Sequence, residues 1–200
     1  MKPKLQTLIR YSVVAIAALV SLPAAPPISN TTSLELDTEE SAFLTLLNDY
    51  RAQHGVGPLQ ISVALENSSR WMSNDMATKN YASHTDSLGR DPHSRMLAFH
   101  YTHSTWGENI AAGAPDAQRT LNDLATACDP DPSGHCTYSH RKNMLNPSFK
   151  AIGIGRAYKA GSAYGGWYWT TDFGGEVDQT ISSTEGPTLG SDATALRRRR

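Results

Sequence analysis

The sequence predicts an α+β or layered α/β/α domain, with helices first, a β-hairpin last and loops that hold most of the polar chemistry. Apolar residues recur at helical spacing in the first half of the chain. Residues 151–158 and 167–173 alternate in the manner of strands on either side of a glycine-bearing turn at 161–166. The chain contains no internal repeats.

The first two helices have recognisable ends. Asp37 followed three residues later by Glu40 resembles a capping box, so the first helix is expected to start there. Gly55 is expected to end it, because glycine adopts positive φ without strain. Ser62 is a suitable cap for a second helix, which is predicted to end near Asn80.

The middle of the chain mixes loops and shorter helices. Residues 81–105 are predicted to be a loop rich in histidine, with a short helical turn at 95–99. Residues 114–127 are predicted to form a further helix with Leu121 and Leu124 facing inward. Ser139 is expected to cap a short segment that runs through Met144 and Leu145 and is closed by Pro147.

The first 24 residues have the three parts of a secretory signal. Three basic residues come first, residues 11–22 are apolar, and small residues precede an expected cleavage after Ala24. Twelve residues rise only about 18 Å as a helix, which is too short for a bilayer core of about 30 Å. An uncleaved anchor is the alternative, and no later segment is apolar enough to span a membrane. We therefore expect a secreted, extracellular protein.

The predicted organisation is a signal peptide at 1–24, a linker at 25–36, one domain at 37–178 and a disordered tail at 179–200. The tail is rich in Ser, Thr, Gly and Pro and lacks periodicity. About 175 residues remain after cleavage, which is enough for one domain with a real core. We expect this domain to be a monomer.

The formal net charge of −1 hides an acidic body. Of the 18 Lys and Arg residues, three lie in the signal and four form the run at 197–200, which leaves 11 basic against 19 acidic residues. A net charge of −8 argues against a nucleic-acid partner. The terminal arginines are expected to be a solvated tail, with a weak contact to an anionic surface as the alternative.

The only two cysteines, Cys128 and Cys136, bracket a Pro- and Gly-bearing turn. In an exported chain, two cysteines this close are most simply one local disulfide. The competing interpretation is a metal site that uses Cys136 together with His135 and His140.

Standard catalytic motifs are absent from the sequence: it has no Gly-x-Ser-x-Gly, His-Glu-x-x-His, Walker loop or Cys-x-x-Cys. What remains is His84, Glu108 and His140, each interpreted as lying beside a turn. Two imidazoles and one carboxylate in a cleft could hold Zn²⁺ or could pass protons. Taken singly, each histidine is better explained as an exposed loop residue, and Glu108 could simply hold the Gly107 turn. Spacing alone does not bring the three together.

Three short motifs occur in a characteristic order: Ser-His at 83–84, Gly-Glu-Asn-Ile-Ala at 107–111 and His-Arg-x-Asn at 140–143. With them, the chain from about residue 43 to 174 resembles a CAP domain in its bacterial, SCP-like form. This superfamily contains the cysteine-rich secretory, antigen 5 and plant pathogenesis-related proteins. The run opens with Leu-Asn-x-x-Arg-x-x-x-Gly at 47–55 and closes with Ile-Gly-Ile-Gly at 152–155 and Asp-Phe-Gly at 172–174.

The resemblance implies a three-layer α-β-α sandwich with a central cleft. It implies that His84 and His140 bind a divalent metal, often zinc, and that Glu108 is the first of two acidic cleft residues. The second acidic position departs from the eukaryotic pattern, because no Trp-x-x-Glu precedes His140. Asp123 lies nearest the expected place, although it could equally be a surface residue of its helix.

Two functions of different class remain. The first is a secreted, non-enzymatic module whose cleft binds a divalent metal and a lipid or cell-envelope component. The second is a zinc-assisted extracellular hydrolase, similar to a peptidase or esterase, in which Glu108 activates water. We favour the first, because no nucleophile or dedicated general base stands out in the sequence.

Overall fold

The computed structural model describes residues 35–178. The predicted signal peptide, nearly all of the predicted linker and the predicted tail lie outside this range. The described part forms five helices and four strands. In chain order they are α1 (Thr38–Gln53), β1 (Gln60–Ile61), α2 (Val63–Lys79), α3 (Pro92–Ala98), β2 (Trp106–Ala112), α4 (Ala117–Thr126), α5 (Ser139–Met144), β3 (Ala151–Tyr158) and β4 (Trp167–Gly174).

The four strands form one sheet in the order β1-β3-β4-β2. The predicted hairpin of β3 and β4 is confirmed, and β1 runs parallel to β3 at one edge. At the opposite edge β2 pairs antiparallel with β4. The expectation that Glu108 lies beside a turn at Gly107 is wrong: both residues are inside β2, where Glu108 faces Asp172 across the ladder.

Helix ends follow local side-chain chemistry at most of the predicted places. Asp37 accepts hydrogen bonds from the amides of Glu39 and Glu40, and the Glu40 carboxylate accepts one from the Asp37 amide, which completes the capping box. Ser62 caps α2 as predicted. The prediction that Ser139 caps α5 is wrong, because the cap position is Tyr138 and the Ser139 hydroxyl donates to Asp129 instead.

Two helical layers cover the two faces of the sheet, as expected for an α-β-α sandwich. Helices α1 and α4 cover the face that carries the main apolar core, which includes Phe43, Trp169 and Phe173. Helix α2 covers the other face and packs directly onto β3. This close approach requires glycine at 153 and 155, where a Cβ atom would lie within 2.5 Å of the α2 backbone.

A separate observation concerns the membrane. Within residues 35–178, no helix combines the length and the apolar character needed to cross a bilayer.

Candidate functional site

His84 lies on the loop that joins α2 to α3. Two acidic residues anchor this loop: Asp75 accepts from the Tyr81 hydroxyl and from the Ser87 amide, and buried Asp86 pairs with Arg90. The loop is therefore well fixed although it lacks regular structure. Burial lowers the pKa of His84, and the nearby positive charge of Arg95 lowers it further. His84 is consequently a neutral imidazole near neutral pH.

Glu108 contacts the His84 ring at Nδ1. Its Oε1 lies 2.6 Å from Nδ1 of His84, and its Oε2 accepts from the guanidinium of Arg95. The Arg95 side chain is fully buried and also donates to the carbonyl oxygen of His84. Because Nδ1 is engaged, Nε2 is the nitrogen that His84 offers to a ligand. Glu108 therefore orients the imidazole, with Arg95 fixing the carboxylate.

Asp172 is a second buried carboxyl group beside Glu108. Burial raises the pKa of Asp172 well above its usual range, and the charge of Glu108 raises it further. Burial likewise raises the pKa of Glu108 to about 7, against the opposing effect of Arg95. Two carboxyl groups that face one guanidinium do not both ionise readily, so Asp172 is the protonated member near neutral pH.

His140 approaches from the other helical layer, on α5. The Asn109 side chain donates to its backbone carbonyl oxygen at 3.0 Å. Its Nδ1 is buried and lies 3.2 Å from Oδ2 of Asp129, without the alignment of a hydrogen bond. The contact is therefore electrostatic. The pKa of Asp129 lies below its usual value. Burial alone would raise this pKa, but the hydrogen bond from the Ser139 hydroxyl and the charge of His140 together have the larger effect.

A disulfide between Cys128 and Cys136 closes the loop that presents Asp129. The pairing is the one that the sequence predicts, and in this bonded form the sulfur of Cys136 is not available as a metal ligand. The loop folds back on itself through the Thr137 amide, which donates to the Asp129 carbonyl oxygen. Asp129 also accepts from the Ser139 amide at 2.9 Å, which ties the loop to the first turn of α5.

His84 and His140 line the same cavity, which has a volume of about 270 Å³. They come from opposite helical layers and meet over β2, the edge strand of the sheet. The remaining lining residues have short or aliphatic side chains; they are Ala82, Ser83, Ile110, Ala111 and Ala112. The structure thus places the two predicted histidines at one solvent-reachable hollow, with Glu108 in contact with Nδ1 of His84.

Asp123 does not lie at this hollow. It is on an exposed face of α4, where both carboxylate oxygens accept from Arg119 one turn earlier. The acidic residue beside His140 is Asp129, which the sequence analysis did not single out. Its signal was its place within the cysteine-bracketed turn. Asp172 had a sequence signal only as part of the Asp-Phe-Gly motif, and Arg95 had none.

His84 and His140 are the side chains at this cavity that would hold a divalent metal. The His84 ring has the hydrogen-bonded carboxylate at Nδ1 that is usual behind histidine ligands of zinc, whereas Nδ1 of His140 lies near Asp129 without a hydrogen bond. Within the described part of the chain, no three His, Cys, Asp or Glu side chains are grouped to bind a metal.

The protein is a three-layer α-β-α sandwich in which two histidines line one cleft beside the edge strand β2. The sequence model of the cysteine-rich secretory protein family, CAP, matches residues 44–173. The chain belongs to this family. Protein YkwD of Bacillus subtilis, itself uncharacterised, is 34% identical over 157 residues. The match covers 77% of this chain and 55% of YkwD, so the chain spans about half the length of that relative.

Two solved structures share the fold. An extracellular protein with an SCP domain from Bacillus anthracis has a TM-score of 0.56 at 22% identity, covering 74% of this chain and 44% of its own. An outer surface protein from Borrelia burgdorferi has a TM-score of 0.58 at 17% identity, covering 70% of this chain and 95% of its own. At these identities the likeness concerns the fold alone.

Proposed function

We propose that this chain is an extracellular CAP module whose cleft binds a divalent cation, Zn²⁺ being the first candidate, and next to it a lipid or cell-envelope component. The observation that supports the metal is the shared cavity of His84 and His140, each with a carboxylate at Nδ1. A bound cation would supply a positive centre that attracts anionic or carbonyl groups of a ligand.

The extracellular location rests on three supports. The first 24 residues have the composition of a secretory signal. The disulfide at Cys128 and Cys136 is the kind of bond that persists outside the cytoplasm. The relatives from Bacillus anthracis and Borrelia burgdorferi are described as an extracellular and an outer surface protein.

Binding is favoured over hydrolysis by the burial of Glu108. Its carboxylate is only 1% exposed and both oxygens already have partners in His84 and Arg95. A group that activates water must reach that water. Glu108 instead stabilises one orientation of His84, which is a role in binding.

Calorimetric titration of the purified full chain with Zn²⁺ tests the proposal. We expect one site, which His84→Ala removes while His135→Ala preserves it, because the His135 side chain is largely exposed and outside the cavity. Affinity should fall as the pH drops below about 6, since only neutral imidazoles bind metal. Equal zinc binding by the two variants, or a flat pH response, would contradict the proposal.

A further inference from the structure

The backbone N–H and C=O groups of β2 point in two directions, toward β4 and away from it. In an antiparallel pair, the N–H and C=O groups of alternate residues point toward the partner strand and away from it. The Gly113 amide donates to the Trp167 carbonyl oxygen at 2.8 Å, so Gly113 and, by alternation, Ala111 face β4. The backbone groups of Ile110 and Ala112 therefore point away from the sheet.

The carbonyl group of Glu108 supports this assignment independently. It accepts from the Asn143 side chain on α5 at 3.1 Å, on the side of β2 opposite to β4. Asn143 therefore covers the first part of the outer edge. Across residues 35–178, no donor or acceptor lies in hydrogen-bonding position against the outward groups of Ile110 and Ala112.

The other edge of the sheet is protected differently. There the outward amide of Ile154 donates to Glu66 at 2.8 Å, and that of Arg156 donates to Glu40 at 3.2 Å. Capping of this kind is how proteins prevent strands from adding to an edge. By contrast with these capped positions, the short length of β2 at Ile110 and Ala112 is open.

This open length coincides with the cavity of the two histidines. Ile110, Ala111 and Ala112 line it together with His84 and His140. Ala82 and Ser83, which follow α2 in the chain, also line the cavity and have short side chains. A strand that pairs with β2 must lie about 4.8 Å from it, and short side chains leave room for that approach.

We propose that the ligand of this cleft is an extended peptide segment that adds a strand to β2 at residues 110–112 by pairing with the outward backbone groups of Ile110 and Ala112. The proposal rests on the proposed function, in that it places the ligand at the same cleft. Alternating donors and acceptors along an edge match the main chain of a peptide, whereas a lipid chain has no groups to pair with them.

Amide hydrogen exchange of the full chain tests the added strand directly. The probe is a linear heptapeptide selected from a random phage-displayed library against the immobilised protein. In the free protein the amides of Ile110 and Ala112 should exchange quickly, while that of Ala111 is protected by β4. With peptide, Ile110 and Ala112 should slow by at least about tenfold and Ala111 should stay unchanged. Continued fast exchange of Ile110 and Ala112 would overturn the proposal.

A matched pair of variants at Ala112 provides the second measurement. Ala112→Pro removes an outward N–H without breaking a bond to β4, and should weaken peptide binding at least about tenfold. Ala112→Gly keeps the N–H and should bind within about threefold of the parent. A third measurement uses the unmodified protein and peptides that are N-methylated at alternate positions. Loss of binding in only one of the two alternating sets supports strand addition. Equal loss of binding in both sets overturns it.

Other occupants give distinct results. Failure to select any peptide, together with binding of phosphatidylglycerol vesicles, would overturn the proposal in favour of a lipid. Protection of Ile110 and Ala112 that grows with protein concentration alone would overturn it in favour of a second copy. Zinc titration of the unmodified chain tests the metal site separately from the peptide site. Binding of zinc without binding of peptide refutes only the added strand. Binding of peptide without binding of zinc refutes only the metal site.

Discussion

Nδ1 of His84 lies 2.6 Å from Oε1 of Glu108, while the other oxygen of the same carboxylate meets the buried guanidinium of Arg95. The imidazole belongs to a loop, whereas the carboxylate belongs to the sheet and the guanidinium to a helix. A loop residue is thus held by two regular elements. This arrangement sets the direction of the free ring nitrogen and explains how a loop residue keeps one ring orientation.

Glu108→Gln should weaken zinc binding by about 10- to 100-fold, because it removes the negative acceptor that orients His84. Calorimetric titration measures the change, and thermal melting verifies that the variant is folded. Asp123→Asn is the matched control, since Asp123 pairs with Arg119 on the surface of α4. Equal affinities of Glu108→Gln and the parent would contradict the orienting role of Glu108.

The stability of the domain should depend on pH through Glu66, which caps the Ile154 amide. Burial raises the pKa of Glu66 from 4.5 to about 7, although Arg70 acts in the opposite direction. Between these values the folded protein binds more protons than the unfolded chain, so this contribution to stability is complete below pH 4.5 and is lost as the pH rises toward 7.

Glu66→Gln removes that titration and supplies the measurement. Relative to the parent, the variant should gain on the order of 1–3 kcal/mol in free energy of unfolding between pH 5 and pH 7.5. Urea denaturation at the two pH values measures the difference. Glu176→Gln, at an exposed side chain, should show no such change. A constant offset for Glu66→Gln at both pH values would contradict the raised pKa.

Local chemistry determined which parts of the fold were predictable. The caps at Asp37 and Ser62 involve partners within three residues, and sequence patterns record them. Strand β2 was missed because its residues mix polar and apolar types and its partner β4 lies about 60 positions away. A strand defined mainly by such a distant partner leaves little local signal.

The residues of the candidate site were likewise predictable only where a sequence motif contains them. His84, Glu108 and His140 belong to motifs with recognisable order, so the family resemblance found them. Asp129 was missed because its effect depends on a loop that brings it to His140, and Asp172 because its proton depends on burial beside Glu108. Asp123, which the sequence offered as the second acidic residue, pairs with Arg119 at an exposed position of α4.

Cys128→Ser should destabilise the domain by on the order of 2–3 kcal/mol, because the bond closes a short loop. It should also weaken zinc binding, since Asp129 next to Cys128 contacts His140. Thermal melting and calorimetry measure the two effects, and reduction of the parent with dithiothreitol should reproduce both. An unchanged melting temperature would refute a stabilising role for the disulfide.

Gly153→Ala should destabilise the domain by on the order of 3 kcal/mol or more, because the added Cβ would lie 2.0–2.3 Å from backbone atoms of Leu65 and Glu66. These atoms belong to α2 and cannot rotate away as a side chain would, so the helix must lift off β3. Gly57→Ala is the control, since nothing lies within 4 Å of its added Cβ, and it should stay within about 0.5 kcal/mol of the parent. Chemical denaturation of the two variants measures the difference. Similar midpoints would mean that α2 yields easily, and the glycine would then not be required for the close packing of helix on sheet.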